Sequence, residues 1–306
     1  MTREEKEVLG IYVASITPFT DDDHVAGSVL ESLMERNLKE GAAGFFIGGS
    51  SAECFLLSHE ERIRTFEAAS GFRGKTRLIA HVGALSTKEA IDYAEHAKRM
   101  GFDSIAATPP FYYGYTSRDI CRYYYELSAA VDMPVIVYNF PGNTKVEFDL
   151  KNPDYRKLFT SSAIEGVKHT NQVVYQMERL MELNPNLKLF NGFDETMVAG
   201  MALGCRGSIG STFNCMLPHY EKIFHAFLEG RILEAEAMQH KANHIMEALC
   251  SVGLIPAIKY VLSTQGIHAG NPRSPFAPLD AEARAYVDRV LKENLIGAEE
   301  KTGPET

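Results

Sequence analysis

Ala163-Ile-Glu-Gly-Val-Lys-His-Thr170 sets a lysine near the end of a short apolar run, and Pro134-Val-Ile-Val-Tyr-Asn139 ends the same way on a tyrosine, 30 residues before that lysine. Apolar, largely β-branched runs of this length read as strands. With side chains alternating, Ile164, Gly166, Lys168 and Thr170 share one face, and Tyr138 shares a face with Ile136. The spacing is about one strand–helix repeat, which makes the two strands neighbours in a parallel sheet.

Runs of the same kind recur at 11–16, 44–47, 78–82, 104–108, 134–139, 163–169, 187–191 and 207–211, with room for a helix in each interval. Leu30, Leu33, Met34 and Leu38 repeat at helical spacing, as do Val174, Met177, Leu180 and Met181. Ser58 with Glu61, and Ser86 with Glu89, have the form of capping boxes. Eight such repeats predict an α/β fold, a closed (β/α)8 TIM barrel. The competing open, doubly wound sheet usually carries a glycine-rich dinucleotide turn after its first strand, whereas here that strand runs into Thr17-Pro18-Phe19. After residue 211 the segments 233–250, 256–265 and 281–294 read as helices with no strand between them. The expected division is a barrel over 1–232, a C-terminal helical extension over 233–296 packed on it, and a polar, flexible tail over 297–306.

Composition narrows the class. Of the 306 residues, 45% are apolar and 23% charged, ordinary for a soluble globular chain. No apolar run is long enough to cross a membrane, and the charged start Met1-Thr-Arg-Glu-Glu-Lys-Glu7 has no secretory character. A net charge of −9 without a basic cluster argues against nucleic acid, and leaves room for a small anion held by a few local N–H groups. Cysteines 54, 121, 205, 215 and 250 show no pairing logic, which predicts reduced thiols in a cytoplasmic protein. The ten histidines form no HExxH or comparable metal motif, and His240 and His244 simply share a helix face.

Lys168 and Tyr138 both fall at C-terminal strand ends, where barrel enzymes assemble their sites. A lysine pointing into a barrel is desolvated, which lowers its pKa, and a neutral amine can add to a ketone to form an imine. The resulting iminium is an electron sink for breaking a carbon–carbon bond, and a phenol beside it can move the proton. The alternative is a lysine that snorkels to a nearby carboxylate; spacing alone leaves both open. His169 faces the other way, toward the helices, and Cys54 reads as a small buried apolar residue. After the second strand, Gly48-Gly-Ser-Ser-Ala-Glu-Cys-Phe55 can form a tight turn whose N–H and O–H groups converge on a carboxylate.

In order and spacing these segments resemble the N-acetylneuraminate lyase branch of the dihydrodipicolinate synthase/N-acetylneuraminate lyase family of class I aldolases. The matching segments include Thr17-Pro-Phe19, Gly48-Gly-Ser-Ser51 with Glu53, Thr108-Pro-Pro-Phe-Tyr-Tyr113, Val137-Tyr-Asn139, Val167-Lys-His-Thr170, Asn191-Gly-Phe-Asp-Glu195 and Ile209-Gly-Ser-Thr212. The resemblance implies a homotetramer that uses no metal or diffusible cofactor. It implies Lys168 as the Schiff-base amine and Tyr138 as the proton donor. Ser50 and Ser51 would hold the pyruvyl carboxylate, and Tyr112 would be lent across a subunit contact. Thr170, Gly192, Asp194, Glu195 and Ser211 would contact the carbohydrate end. The implied reaction is reversible cleavage of N-acetylneuraminate to pyruvate and N-acetylmannosamine. The alternatives are another pyruvate-dependent 2-keto-3-deoxy acid aldolase, a dihydrodipicolinate synthase-like enzyme, or a barrel that binds a keto acid or sialic acid without turnover. Asn143 stands where a synthase would carry an arginine, and a neutral amide lacks the bidentate grip on a carboxylate. Ala52 replaces the glycine usual in the turn, which alters the backbone if that position needs positive φ.

Overall fold

The computed structural model describes residues 9–295. Eight parallel strands, β1 (Gly10–Ala14), β2 (Gly44–Ile47), β3 (Arg77–His81), β4 (Ser104–Ala107), β5 (Val135–Asn139), β6 (Ile164–His169), β7 (Lys188–Asn191) and β8 (Gly207–Gly210), pair in chain order and close β8 onto β1. This is the expected barrel, with strand positions differing from the sequence reading only at their ends. Around it run α1 (Gly27–Lys39), α2 (His59–Ser70), α3 (Thr87–Met100), α4 (Ser117–Val131), a short α5 (Pro141–Thr144), α6 (Pro153–Phe159), α7 (Tyr175–Leu183), α8 (Met197–Ala202) and α9 (Phe213–Leu228). Three more helices, α10 (Ile232–Ser251), α11 (Leu254–Thr264) and α12 (Ala281–Asn294), follow without a strand. The tail expected over 297–306 lies outside the described residues. Among the described residues no single helix is long and apolar enough to cross a membrane.

Alternation along the strands separates two cores. Tyr12, Phe46, Ile79, Ile136, Phe190 and Ile209 fill the barrel, while the intervening residues face the helices and make the larger, outer core. One expected face is wrong. Ile164 joins the outer core with Val167, because the β5–β6 register shifts between Val135 and Ile136 and Glu165 occupies the extra position. Gly166 and Lys168 keep the inward face. The crowding is visible at Gly166, where a Cβ would come within 2.4 Å of the Lys188 carbonyl oxygen.

Helix ends mostly follow their local chemistry. Ser58 and Glu61 form a reciprocal capping box on α2, with Glu61 N donating to Ser58 Oγ at 3.2 Å and Ser58 N to Glu61 Oε2 at 2.8 Å. The second expected box is half-formed. Ser86 Oγ accepts from Glu89 N, while Glu89 Oε1 accepts from the Tyr93 hydroxyl one turn later, at 3.1 Å. A box the sequence reading missed, Thr116 with Asp119, starts α4.

The C-terminal helices are fastened to the rim of the barrel. The Lys259 Nζ of α11 lies 2.8 Å from Glu53 Oε1, both side chains being buried, and Arg273 N donates to Glu53 Oε2 at 2.7 Å. Arg273 also pairs with Glu61 and Asp23. A buried pair of this kind is costly to break from one side, since the survivor is left as an uncompensated charge.

Candidate active site

Register places Tyr138 directly opposite Lys168 on adjacent strands. Lys168 is 3% exposed, and its Nζ lies 4.1 Å from the centre of the Tyr138 ring and 4.3 Å from that of Phe46. Two aromatic faces attract an ammonium, but they replace its hydration only in part. Burial therefore brings the Lys168 pKa down to about 7, with Asp194 and Cys54 opposing the shift through space. The buried Lys259 also has its pKa lowered by burial, but it has Glu53 in contact to restrain the shift. Lys168 does not snorkel; it is an amine held ready for deprotonation near neutrality.

Tyr138 is wedged between rings. It stacks on Phe140 with centroids 5.7 Å apart, and meets Phe46 and His81 edge-on at 5.6 Å each. Burial pushes its phenol up to about 12, against the pull of the Ser50 and Thr170 hydroxyls, so it keeps its proton at neutral pH. That hydroxyl donates to Ser50 Oγ at 3.5 Å. Burial drives His81 down to about 3, so its ring is neutral. Its Nδ1 lies 2.9 Å from the Gly48 carbonyl oxygen, which can only accept, so the ring proton sits there.

The Gly48–Gly49 turn delivers the two serines. Gly48 has φ of 73°, and a Cβ at Gly49 would come within 2.6 Å of the Phe46 ring. Residues Ser50–Ala52 then form one 3-10 turn that ends at Glu53, with φ of 57°. The positive φ thus falls on Glu53 and leaves Ala52 unstrained, so the alanine keeps the backbone of the turn. A left-handed conformation is unfavourable for glutamate, and the Lys259 and Arg273 contacts hold it there.

Across the barrel mouth, Asp194 and Glu195 open a short 3-10 helix after β7. The sequence reading treated them alike, but the structure separates them. Asp194 Oδ2 accepts from Thr212 N at 2.8 Å, Thr212 Oγ1 at 2.6 Å and Ser211 Oγ at 3.5 Å. Glu195 Oε2 is buried without a hydrogen-bond partner. Burial raises the pKa of both acids. Both acids line the cavity, but Asp194 Oδ2 is held by donors from the end of β8 and Glu195 Oε2 has none. Gly192 is a tight approach, since a Cβ there would come within 2.1 Å of Thr170 Oγ1.

One cavity of about 810 Å³ brings together Lys168, Tyr138, Ser50, Ser51, Thr170, Gly192, Asp194, Glu195 and Ser211. Tyr112 does not line it; it is 83% exposed, at φ of 80°, with its ring against that of Tyr113. Phe140, Phe193, Met246, Cys250, Leu254 and Phe276 add an apolar lining that the sequence reading missed. The last four come from the extension, Phe276 from the loop after α11 and the others from α10 and α11, where helical periodicity does not separate a cavity wall from ordinary packing. His169 is buried away from the cavity, its Nδ1 3.2 Å from Asn139 Nδ2, and Cys54 is buried, with its thiol pKa raised by burial. Among the described residues no group of His, Cys, Asp and Glu could hold a metal ion.

Residues 7–294 match the dihydrodipicolinate synthetase family. The chain is 36% identical over 272 residues to the N-acetylneuraminate lyase of Rhizobium meliloti, covering 89% of this chain and 90% of that protein. The fold superposes with a TM-score of 0.89 on CdNal from Clostridium difficile, solved in complex with mannosamine, at 33% identity over 94% of this chain and all of that one (100%). The N-acetylneuraminate lyase from Fusobacterium nucleatum, solved with pyruvate, gives a TM-score of 0.88 at 30% identity, with 94% and 98% covered. With the barrel matched from end to end and a lysine and tyrosine paired at its mouth, the chain belongs to the dihydrodipicolinate synthetase family, as a class I aldolase and oxo-acid lyase of the N-acetylneuraminate lyase type.

Proposed function

We propose that this aldolase reversibly cleaves N-acetylneuraminate to pyruvate and N-acetylmannosamine. The observation that carries the reading is the buried amine of Lys168, brought to a pKa of about 7 at the foot of a cavity with serines on one wall and acids on the other. The relatives solved with pyruvate and with mannosamine support it. Neutral Lys168 adds to the keto carbon of the open-chain sugar acid, and water leaves to form the iminium. The C3–C4 electron pair then moves toward nitrogen and gives an enamine. Tyr138 gives its phenolic proton to the departing water as the iminium forms. Its oxygen, hydrogen-bonded to Ser50, can then take the C4 hydroxyl proton as C4 leaves as the aldehyde, and hand it to C3. Protonation of the enamine at C3 and hydrolysis of the imine release pyruvate and restore the amine.

Ser50 and Ser51 hold the carboxylate in this scheme. Thr170, Gly192, Glu195 and Ser211 face the polyol, with Asp194 fixing the wall from behind. Tyr112, exposed in a single chain, would complete the site of a neighbouring subunit in a homotetramer. Five unpaired thiols fit a reducing compartment, the cytoplasm. The synthase alternative is weakened by Asn143, which lines the cavity with a neutral amide.

Borohydride reduction with pyruvate, followed by mass spectrometry, is expected to place one pyruvyl adduct on Lys168. Its absence would remove the mechanism. Cleavage assays over a panel of 2-keto-3-deoxy sugar acids are expected to favour N-acetylneuraminate; fast turnover of another acid with none of this one would reassign the substrate. The pH profile has a defined sign. Below a pKa of about 7 the amine is protonated and has no free electron pair. The kcat/KM is therefore expected to rise about tenfold per pH unit up to that point and then level off. A profile flat from pH 5 to 8 would contradict the assignment.

A further inference from the structure

The 3-10 turn that carries Asp194 and Glu195 is three residues long, too short to hold its own shape. Its backbone is held from the extension. Gln239 Nε2, on α10, donates to the Asp194 carbonyl at 3.1 Å, and Asn243 Nδ2 donates to the Glu195 carbonyl at 3.1 Å. The two amides lie four residues apart on one helix face and are joined by Gln239 Nε2 donating to Asn243 Oδ1 at 2.8 Å. Gln239 Oε1 accepts from Val198 N at 3.3 Å, so the buried amide uses both donors and its acceptor. Neither residue lines the cavity, so each reaches a ligand only through this turn. Meanwhile Glu195 Oε2 is left without a partner.

We propose that Gln239 and Asn243 are positioning residues for substrate choice: they clamp the Asp194–Glu195 backbone and so aim the Glu195 carboxylate at the hydroxylated end of the substrate. This rests on the reading above, in which that wall takes the sugar-derived end. The clamp touches neither Lys168 nor Tyr138, and the Asp194 carboxylate that acts on Lys168 through space is fixed separately by Thr212. Loosening the clamp alters how a long polyhydroxy chain is held and leaves imine formation in place.

The test compares a long with a short substrate in the full-length protein. In Gln239→Met, which keeps the volume but loses the donors, KM for N-acetylneuraminate is expected to rise about tenfold with kcat little changed. Condensation of pyruvate with glycolaldehyde, which has no polyol chain to place, is expected to stay within about twofold of wild type, and the pyruvyl adduct on Lys168 is retained. Asn243→Ala, at a half-buried position, repeats the measurement if the first variant fails to fold. Equal losses on long and short substrates, a loss in kcat alone, or no change would overturn the proposal, because a purely structural role lowers the active fraction for both. Should the wild type not cleave N-acetylneuraminate, the functional reading fails separately. The clamp is then tested on whichever long-chain 2-keto-3-deoxy acid the wild type does turn over.

Discussion

Lys168→Met is expected to abolish cleavage, with turnover down by a factor of at least about 10⁴, and at the same time to make the protein more stable. The loss follows because methionine fills similar space and has no nucleophile. The gain follows from linkage. The Lys168 amine titrates at about 7 in the fold against 10.5 when unperturbed, so at low pH folding must either bury its charge or strip its proton. That penalty is fully present below pH 7, on the order of 5 kcal/mol, and fades as pH rises toward 10.5. Chemical denaturation at pH 6 and pH 10 is therefore expected to show a large advantage for the variant at the lower pH and little at the higher. An advantage that stays constant or grows with pH would show that the amine is not desolvated. Retained turnover would show that it is not the nucleophile.

Tyr138→Phe separates imine formation from bond cleavage. The ring remains stacked on Phe140 and under the amine, and only the hydroxyl that donates to Ser50 is lost. General acid–base catalysis of this kind contributes a factor of roughly 10² to 10⁴, and kcat is expected to fall by about 10³. Borohydride should still trap pyruvate on Lys168 when given time, since the amine and its burial are unchanged. Single-turnover cleavage alongside the trapping assay distinguishes the steps. A fall in kcat smaller than tenfold would place the proton relay elsewhere.

The barrel was legible because each strand is a short apolar run between turn residues, and the Tyr138–Lys168 pairing because one strand–helix repeat separates them. Alternation failed at Ile164, where a bulge adds a residue that no local pattern announces. Ala52 drew attention in the sequence, yet the strained residue of that turn is Glu53. What holds Glu53 comes from Lys259 and Arg273, over 200 positions away, so the turn cannot be read locally. Asp194 and Glu195 looked equivalent because they are adjacent and chemically alike. Only Thr212, arriving from the end of β8, decides that Asp194 is hydrogen-bonded there while Glu195 Oε2 is left without a partner. The apolar cavity wall from the extension was hidden for a similar reason, since core and cavity residues share the same helical spacing.

The Glu53–Lys259–Arg273 junction also ties a turn of the barrel to a segment translated more than 200 residues later. Lys168 and Tyr138 emerge with strands that pair as neighbours, so the reacting groups can meet early. The turn bearing Ser50 and Ser51 is translated more than 200 residues ahead of its anchors, Lys259 and Arg273. A nascent chain that stops before α11 carries Lys168 but lacks the Lys259 and Arg273 contacts that hold the Ser50–Glu53 turn. The completed turn in this barrel therefore waits for Lys259 and Arg273, after the strands that carry Tyr138 and Lys168 are already in place.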